Sequence, residues 1–443
     1  MSEMGAYAVS FQPVLQPIVG RVTVPGSKSI TNRALICAAM ASGTSLLSGV
    51  LESEDTRVMI DAWIALGLSV HWDRKAKTIE ITGCNGQPPI PKGDLQIANS
   101  GTTIRFLTAA LAATRGDYTL DGVPRMRERP IGDLIDSLRE LGANVFSTNP
   151  KHPNCPPVRV LANGLRGGEG SVAGDVSSQF LSGMMMASPY ADTPVVIRVV
   201  GDLVSKPYVD MTVAVMKSFG VELHATLGAN GVQYEVDSPQ SYTGCNYLIE
   251  PDASAASYFF GAAVITGGTM RVDGLSFQAL QGDVQFAKVL GKMGCKVTSG
   301  NDFIEVSGRA STGIDIDMNA ISDTVQTLAA VALFADGPTR VRGVAHNRHK
   351  ETDRIGDLAC ELRRLGAVVE EHDDGLTIYP KPLVGSDLKT YRDHRMAMSL
   401  SLVGLKVPDV RILDPKCTEK TYPEYFEHMG QVLRQVPKYD QNP

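Results

Sequence analysis

The pattern of hydrophobic and polar residues repeats six times along the chain. Each repeat begins with a short polar or charged cluster, followed by a run rich in Ala, Leu and Met; a helix-like stretch ending in glycine comes later. The clusters are Lys28-Ser29, Asn99-Ser100-Gly101-Thr102, Ser177-Ser178-Gln179, Asp252-Ala253-Ser254, Asp323-Thr324 and Asp393-His394-Arg395. The closing glycines are Gly67, Gly142, Gly220, Gly294, Gly366 and Gly430, which lie 64 to 78 residues apart. This spacing indicates a repeated supersecondary unit.

Each repeat is predicted to contain two different helices separated by strands. The run after the polar cluster is too uniformly apolar for a surface helix, so we expect a helix buried on most sides. Ser, Thr, Asn and Asp at its start are typical of N-caps, and such a helix end favours anions. The second helix is amphipathic and is expected to stop where glycine takes the left-handed conformation. β-like stretches occur at 78–81, 158–161, 195–200, 270–272 and 339–341.

The composition fits a globular protein with more than one core. Of 443 residues, 43% are hydrophobic and 20% are charged. No apolar run approaches the roughly 18 residues that span a membrane, and the first five residues lack the features of a signal peptide, so we expect a cytoplasmic protein. Seven scattered cysteines argue against a disulfide framework and a zinc site. The net charge of −6 gives no general attraction for nucleic acid.

Positive side chains lie near the helix starts in spite of the negative net charge. They include Lys28, Arg33, Arg105, Arg125, Arg127, Arg129, Lys350, Arg354, Arg395, Lys416 and Lys420. A lone lysine is usually part of a solvated face, so surface charge is one interpretation. The other is a site for a small polyanion, because small residues let a ligand approach the backbone and arginine binds phosphate and carboxylate with two hydrogen bonds.

Two carboxylates have alternative interpretations. Asp323 lies at a helix start and could be no more than an N-cap, and the Lys350-Glu351-Thr352-Asp353-Arg354 string could be an exposed helical turn with internal ion pairs. Alternatively, a carboxylate among cations is suited to act as a general acid or base.

Several longer motifs resemble the 5-enolpyruvylshikimate-3-phosphate (EPSP) synthase family. The similarity extends in order from about residue 15 to about residue 430. Its motifs are Pro25-Gly26-Ser27-Lys28-Ser29, Asn99-Ser100-Gly101-Thr102, Arg125-Met126-Arg127-Glu128-Arg129-Pro130, Ser177-Ser178-Gln179-Phe180, Ser205-Lys206-Pro207-Tyr208, Lys350-Glu351-Thr352-Asp353-Arg354, Asp393-His394-Arg395 and Asp414-Pro415-Lys416-Cys417-Thr418.

The resemblance implies a two-domain fold and a transferase of the shikimate pathway, which supplies chorismate and the aromatic amino acids. The expected fold is an α/β (α+β) inside-out barrel of six βαββαβ repeats, three per domain, with the active site in the interdomain cleft. Residues 26–249 would form one domain, on the shikimate 3-phosphate side. Residues 1–25 and 250–443 would form the other, on the phosphoenolpyruvate side. The expected activity is that of a 3-phosphoshikimate 1-carboxyvinyltransferase, which transfers the enolpyruvyl group of phosphoenolpyruvate to the 5-hydroxyl of shikimate 3-phosphate and releases phosphate.

The resemblance also implies roles for individual residues. The residues expected to bind shikimate 3-phosphate are Lys28, Ser29, Arg33, Ser177, Ser178, Gln179, Ser205, Tyr208, Asp323, His346, Asn347 and Lys350. Those expected to bind phosphoenolpyruvate are Lys28, Asn99, Gly101, Thr102, Arg129, Gln179, Arg354, Arg395 and Lys420. Asp323 would accept the hydroxyl proton, and Glu351, with Lys28, would protonate the methylene. No metal or cofactor is expected. The enzyme would be a monomer that does not bind nucleic acid or membranes.

The chain departs from the family pattern at two places. The family usually has Asn four residues before the Lys of the Lys-Glu-Thr-Asp-Arg string, where this chain has His346, with Asn347 one place later. Which of the two contacts substrate stays open. Phe106 replaces the common Pro after Arg105. Gly101 and Thr102 predict sensitivity to glyphosate, which competes for the phosphoenolpyruvate pocket in this family, and Phe106 leaves its degree open.

Two alternatives remain at this point. A related enolpyruvyl transferase acts on UDP-N-acetylglucosamine, but normally carries a Cys before its Arg-Pro, where this chain reads Arg125-Met126-Arg127-Glu128-Arg129-Pro130. A non-catalytic anion-binding protein could use the same repeats, but would not need Asp323 and Glu351 together with so many cations.

Overall fold

The structure is a computed structural model that describes residues 8–228 and 231–440. The first five residues, on which the cytoplasmic location was partly based, lie outside the described residues. The α-helices are α1 Lys28–Met40, α2 Glu54–Ala65, α3 Gly101–Ala112, α4 Gly132–Glu140, α5 Ser178–Ala187, α6 Lys206–Ser218, α7 Ala253–Thr266, α8 Phe286–Lys292, α9 Val325–Ala332, α10 Gly356–Arg364, α11 His394–Ser401 and α12 Tyr425–Leu433.

The strands are short and numerous. They are β1 Ala8–Ser10, β2 Val19–Val22, β3 Thr44–Ser48, β4 Val70–Asp73, β5 Thr78–Thr82, β6 Lys92–Gln96, β7 Arg115–Asp121, β8 Val145–Ser147, β9 Val158–Asn163, β10 Gly168–Ala173, β11 Val195–Val200, β12 His224–Gly228, β13 Gly231–Val236, β14 Asn246–Leu248, β15 Thr269–Asp273, β16 Lys296–Ser299, β17 Phe303–Ser307, β18 Asp315–Asp317, β19 Thr339–Arg342, β20 Val368–His372, β21 Gly375–Tyr379, β22 Asp387–Leu388, β23 Arg411–Leu413 and β24 Lys438–Asp440. All five β-like stretches of the sequence lie in strands.

The chain divides into two compact units. Gly26–Ile249 forms one, here called the central unit, and Met1–Pro25 with Glu250–Pro443 forms the other, here called the terminal unit. The central unit contains the sheets β14-β3-β5-β4, β6-β7-β9-β8 and β10-β11-β13-β12, and the terminal unit contains β16-β17-β15-β2, β18-β19-β21-β20 and β22-β23-β1-β24. Within residues 8–228 and 231–440, each unit therefore has three four-stranded sheets.

The same strand order recurs in every sheet. In β6-β7-β9-β8 the first two strands are parallel, and the last two pair antiparallel. The buried helix α3 connects the parallel pair, because parallel neighbours need a crossover connection, whereas the last two strands form a hairpin. The six α/β repeats are confirmed, but the order within a complete repeat is βαβαββ in place of the expected βαββαβ.

Three of the repeats take a strand from a distant part of the sequence. β14 pairs with β3 at the start of the central unit, and β2 pairs with β15 in the terminal unit. β1 lies between β23 and β24, so strands from near both ends of the chain complete the sixth repeat.

The two kinds of helix differ in burial as the sequence predicted. Every residue of α3 and α7 is buried. The amphipathic helices α4 and α10 bury one face, which includes Leu134, Leu138, Leu358 and Leu362. No helix among the described residues is long and apolar enough to cross a membrane.

The closing glycines behave as predicted in five repeats and differently in the sixth. Gly67, Gly142, Gly220, Gly294 and Gly366 all have positive φ. The prediction for Gly430 was wrong, because α12 continues past it to Leu433 and ends at Arg434, whose φ is 55°.

Candidate active site

The predicted site residues form one group in each unit. The central unit holds Lys28, Ser29, Arg33, Asn99, Gly101, Thr102, Arg129, Ser177, Ser178, Gln179, Ser205 and Tyr208, and the terminal unit holds Asp323, His346, Asn347, Lys350, Glu351, Arg354, Arg395 and Lys420. The contacts of each group are described within its own unit.

Helix starts present the central group. Lys28 and Ser29 open α1, Gly101 and Thr102 open α3, and Ser178 opens α5. The hydroxyl of Ser177 caps α5 by accepting from the N–H of Gln179 at 3.3 Å. Ser205 precedes α6 with φ of 54°. The N-termini of α1, α3, α5 and α6 are suited to bind an anion, because N–H groups of the first turn have no carbonyl partner within the helix.

Arg33 connects three of these helices. Its Nε donates to Thr212 Oγ1 at 2.7 Å and its Nη2 donates to Ser182 Oγ at 3.2 Å. Its guanidinium also donates to the backbone carbonyls of Ser29 and Tyr208. Burial lowers the pKa of Arg33 to about 10. Arg33 therefore holds the starts of α1 and α6 in place from inside the unit.

Arg129 lies against the glycine that opens α3. Its Nη1 donates to the carbonyl oxygen of Asn99 at 3.1 Å and approaches Asn99 Oδ1 at 3.4 Å. A Cβ added to Gly101 would lie 2.4 Å from Arg129 Nη2. Glycine is therefore required at this position for the guanidinium to lie where it does.

Gln179 connects α5 to α3. Its Nε2 donates to Thr102 Oγ1 at 3.3 Å, and its Oε1 accepts from Arg105 Nη1 at 2.6 Å. Arg105 also donates to the carbonyl of Pro130, next to Arg129. Arg105 was predicted only as one of the cations near helix starts, and the structure shows that it orients Gln179.

Lys28 has a partner that the sequence analysis missed. Its Nζ lies 3.6 Å from Asp55 Oδ2, in the first turn of α2. Asp55 is almost fully buried. A Ser-x-x-Thr capping box at Ser53 and Thr56 marks this helix start in the sequence, but nothing in the pattern connects it to Lys28.

Arg354 is the centre of the terminal group. It is only 2% exposed and pairs with three carboxylates: Asp393 at 2.7 Å, Glu351 at 2.8 Å and Asp323 at 3.0 Å. Burial lowers its pKa, but Asp393, Glu351 and Asp323 outweigh burial, so the pKa is raised. The exposed-helix interpretation of the 350–354 string was wrong, because Glu351 and Arg354 are buried and lie outside a helix.

Asp323 bridges the two arginines of the terminal unit. Its Oδ1 pairs with Arg354, and its Oδ2 lies 2.6 Å from Arg395 Nη2. The N-cap alternative for Asp323 was wrong: it lies in a 3₁₀ turn ahead of α9, whose N-cap Thr324 makes no side-chain cap bond. The carboxylate is thus held by side chains far away in sequence.

Asp393 aligns both arginines, a role that the sequence analysis did not assign. Its carboxylate accepts from Nε and Nη2 of Arg354 and caps α11 by accepting from the N–H of Arg395 at 2.8 Å. Asp393 is fully buried. The buried acid fixes Arg354 directly and Arg395 through its helix.

The remaining predicted residues surround this centre. Lys420 Nζ lies 3.6 Å from Glu351 Oε1. Asn347 donates to the carbonyl of Ser322, beside Asp323. Burial and then the charge of Lys350 lower the pKa of His346 to about 3, so His346 is neutral at neutral pH.

The chemistry of the two groups is complementary. Cations and helix starts can hold phosphate and carboxylate, and buried carboxylates among cations can exchange protons. Among the described residues, no group of three or more His, Cys, Asp and Glu could hold a metal ion.

Comparison with known proteins gives consistent results. The family model described as EPSP synthase (3-phosphoshikimate 1-carboxyvinyltransferase) matches residues 14–429. The 3-phosphoshikimate 1-carboxyvinyltransferase from Yersinia pseudotuberculosis serotype O:3 (strain YPIII) is 47% identical to this chain, and the match covers 94% of this chain and 98% of the Yersinia protein. The 3-phosphoshikimate 1-carboxyvinyltransferase from Nostoc punctiforme is 46% identical, and the match covers 95% of this chain and 98% of the Nostoc protein. The solved EPSP synthase from Acinetobacter baumannii has a similar fold, with a TM-score of 0.80 at 24% identity and coverage of 98% and 100%.

Proposed function

The chain belongs to the EPSP synthase family, and from that premise we propose how its residues divide the reaction between them. The enzyme transfers the enolpyruvyl group of phosphoenolpyruvate to shikimate 3-phosphate in the shikimate pathway. The observation that carries the proposal is the cluster in which Arg354, Arg395 and Lys420 hold Asp323 and Glu351. These cations suit an anionic substrate, and these acids suit proton transfer.

The central unit supplies the binding groups for shikimate 3-phosphate. Its phosphate is bound by the hydroxyls of Ser177, Ser178 and Ser205, as the family resemblance implies, and Lys28, Ser29, Gln179 and Tyr208 complete this part of the site. Arg33 acts from behind them, because its donors hold α1, α5 and α6 together. His346, Asn347 and Lys350 are the proposed contributors from the terminal unit.

The proposed binding groups for phosphoenolpyruvate come from both units, and most of them are cations. In the terminal unit these are Arg354, Arg395 and Lys420. In the central unit they are Lys28, Gly101, Arg129 and Gln179, with Asn99 and Thr102 shaping the backbone around Gly101. Since the terminal cations already pair with Asp323 and Glu351, an anionic substrate would replace these carboxylates at the arginines. The substrate thereby releases the acids for their chemistry.

The reaction proceeds by addition and elimination. Asp323 accepts the proton of the 5-hydroxyl of shikimate 3-phosphate while the hydroxyl oxygen bonds to the enol carbon of phosphoenolpyruvate. Glu351, with Lys28, protonates the methylene, which becomes a methyl group. The methyl group of this tetrahedral intermediate then returns a proton to the Glu351 carboxylate while the carbon–oxygen bond to phosphate breaks and phosphate leaves. Fixed arginines and lysines stabilise the charge on the departing phosphate, and one such group is worth about 3 kcal/mol.

Phosphate release tests the reaction directly. Purified protein is given phosphoenolpyruvate with shikimate 3-phosphate, and in parallel with UDP-N-acetylglucosamine. We expect release only with shikimate 3-phosphate. Release only with the sugar nucleotide would assign the protein to the alternative transferase, and no release in either would leave the non-catalytic anion-binding protein.

Glyphosate is the proposed inhibitor of this site. Gly101 leaves room beside Arg129, where a methyl group would not fit. We expect competition with phosphoenolpyruvate, and absence of inhibition at millimolar glyphosate would contradict it.

Domain organisation, assembly and location complete the proposal. The two units act as two domains, residues 26–249 and residues 1–25 with 250–443, in a cytoplasmic monomer. Limited proteolysis that first cuts near Pro25 and Ile249, and light scattering that gives the mass of one chain, are the expected results. Cleavage within either unit or the mass of a dimer would contradict them.

A further inference from the structure

A buried carboxylate of the terminal unit lies behind the proposed site without taking part in the reaction above. Asp283 is in the 3₁₀ turn Gly282–Gln285, directly before α8, and is only 3% exposed. Burying a charged group in this way is costly unless something compensates for it. The neighbours of Asp283 therefore have to offset the cost of burying its carboxylate.

A chain of hydrogen bonds connects Asp283 to Arg395. Ser254, in the first turn of α7, donates its hydroxyl proton to Asp283 Oδ2. Arg395 Nη2 in turn donates to Ser254 Oγ at 3.5 Å. A guanidinium only donates, so the direction from Arg395 through Ser254 to Asp283 is fixed. Nη2 of Arg395 also pairs with Asp323. Arg395 therefore contacts the carboxylate of Asp323 directly and is connected to that of Asp283 through the hydroxyl of Ser254.

The turn that carries Asp283 is fastened to the start of α7. Gln281 Oε1 accepts from the N–H of Ala253 at 2.9 Å, and Gln281 Nε2 donates to the carbonyl of Pro251 at 2.7 Å. Tyr258, one turn further along α7, accepts from Arg395 Nη1 at 3.3 Å. Asp283 and α7 therefore form a fixed wall on one side of the Arg395 guanidinium.

We propose that Asp283 is a positioning residue that keeps Arg395 in place, through Ser254, when Asp323 turns from that arginine to the substrate hydroxyl. The inference rests on the proposed function, because it assumes that Asp323 accepts a proton and that Arg395 binds phosphoenolpyruvate. When Asp323 accepts the proton it becomes neutral and attracts Arg395 less strongly. Asp283 then supplies the negative charge that Asp323 no longer provides. Asp393 does the same for Arg354.

The charge state of Asp283 gives the proposal a pH signature. Burial, then the charge of Asp323, raises the pKa of Asp283 to about 7, against the opposing effects of Ser254 and Arg395. The charged groups that face it are Asp252 at the start of α7, Asp323 ahead of α9 and Arg395 in α11. The ionised form holds Arg395 more firmly, so the hold strengthens as the pH rises through about 7.

The first experiment is the variant Asp283→Asn, which keeps the shape and the accepting oxygen but removes the charge. We expect kcat/KM for phosphoenolpyruvate to fall roughly tenfold at pH 8 and less at pH 6. The KM for shikimate 3-phosphate should stay within about twofold. A variant that matches the wild type at both pH values would overturn the inference.

The same variant separates positioning from a purely structural role. A carboxyl whose pKa rises on folding, here from 3.8 to about 7, contributes stability that is present below pH 4 and lost as the pH rises to 7. Asn has no such loss, so Asp283→Asn should melt above the wild type at pH 8, with the gap closing towards pH 4. Lower stability at pH 8 together with lower activity would show a structural carboxylate and overturn the inference.

A second set of variants tests the connection through Ser254. Ser254→Ala should lower kcat/KM for phosphoenolpyruvate as Asp283→Asn does. The double variant should be no worse than the worse single variant, because the two groups act in series. Ser257→Ala is the matched control: Ser257 lies in the same helix, is also buried and donates to the carbonyl of Ser254. Additive losses in the double variant, or an equal loss in Ser257→Ala, would overturn the connection.

Wild-type phosphate release with both substrates is measured first. Its absence would remove the proposed function whatever Asp283 does. Wild-type release together with an unaffected Asp283→Asn would remove only this inference.

Discussion

Two equally buried arginines, Arg33 in the central unit and Arg354 in the terminal unit, have opposite environments. Both are 2% exposed. Arg33 donates to hydroxyl groups and backbone carbonyls, and no carboxylate among the described residues forms an ion pair with it. Burial lowers the pKa of Arg33 to about 10. Arg354 pairs with Asp323, Glu351 and Asp393, which raise its pKa.

The difference separates two tasks. In the central unit the buried cation Arg33 fixes helix starts through neutral hydroxyl and carbonyl groups, and the proposed function assigns the binding of the substrate phosphate to these helix starts. In the terminal unit the cations hold acids. In the proposed function these acids become available for proton transfer when a substrate anion replaces them at the arginines. Arginine thus serves both tasks, and its neighbouring groups, neutral in one unit and acidic in the other, distinguish them.

The sharpest test of this contrast removes the acid shared by both terminal arginines. Asp323→Asn keeps the shape but cannot accept the hydroxyl proton, and general base catalysis contributes about 10²–10⁴-fold, so kcat should fall roughly 10³-fold. Steady-state phosphate release measures it. Asp315→Asn, an exposed acid of the same unit that pairs with Arg342, is the matched control and should leave kcat unchanged. Unchanged turnover in Asp323→Asn would refute the catalytic assignment.

The same substitution at both arginines compares the two environments directly. Arg354→Met removes the cation that Asp393, Glu351 and Asp323 share, and should lower the free energy of unfolding by about 3–5 kcal/mol. Arg33→Met loses hydrogen bonds but also the cost of a buried charge, so the loss should be about 1 kcal/mol. Urea unfolding measures both values. Equal losses would show that the two environments do not differ in energy.

A smaller effect is expected at the start of α3. In Gly101→Ala the new methyl group displaces the Arg129 guanidinium, so the KM for phosphoenolpyruvate should rise roughly tenfold. The melting temperature should change little, because the end of a flexible side chain can move. Gly93→Ala, in β6 of the same repeat, meets its nearest atoms at 3.6 Å and serves as the control. An unchanged KM would show that Arg129 does not depend on Gly101.

The smallest effect is a pH dependence at His346. Its pKa is about 3 in the folded chain, so the unfolded chain binds a proton near pH 6.5 that the folded chain does not. Folding stability should therefore fall as the pH drops below 6.5, by about 1 kcal/mol between pH 6 and pH 5. His346→Gln should lack this component in thermal unfolding. If the stability of the wild type and of His346→Gln changed with pH in the same way, His346 would not be held neutral in the folded chain.

Features that depend on neighbours in sequence could be predicted. Ser100, Ser177, Asp252 and Asp393 cap the helices that follow them, because a cap bonds to an N–H two or three residues further on. The burial of α3 and α7 followed from their uniformly apolar composition. The closing glycines were predictable for the same reason, except at Gly430, where Arg434 takes the left-handed conformation instead.

Contacts between distant residues could not be predicted from the pattern. Asp323 meets Arg354 and Arg395 across 31 and 72 residues, and these pairs form only because the fold brings together separate parts of the fifth repeat and the start of the sixth. Asp55 beside Lys28 and Asp283 behind Ser254 were missed for the same reason. The family resemblance named the site residues, but it did not show which of them hold each other.

The most direct test of the central claim, that the acids held by the terminal arginines carry the proton transfers, is hydrogen exchange at phosphoenolpyruvate. Residual phosphoenolpyruvate is recovered from heavy water during turnover with shikimate 3-phosphate, and deuterium at its methylene is measured by mass spectrometry. We predict deuterium uptake that requires shikimate 3-phosphate and falls at least roughly 100-fold in Glu351→Gln. Uptake by Glu351→Gln at the wild-type rate would contradict the claim.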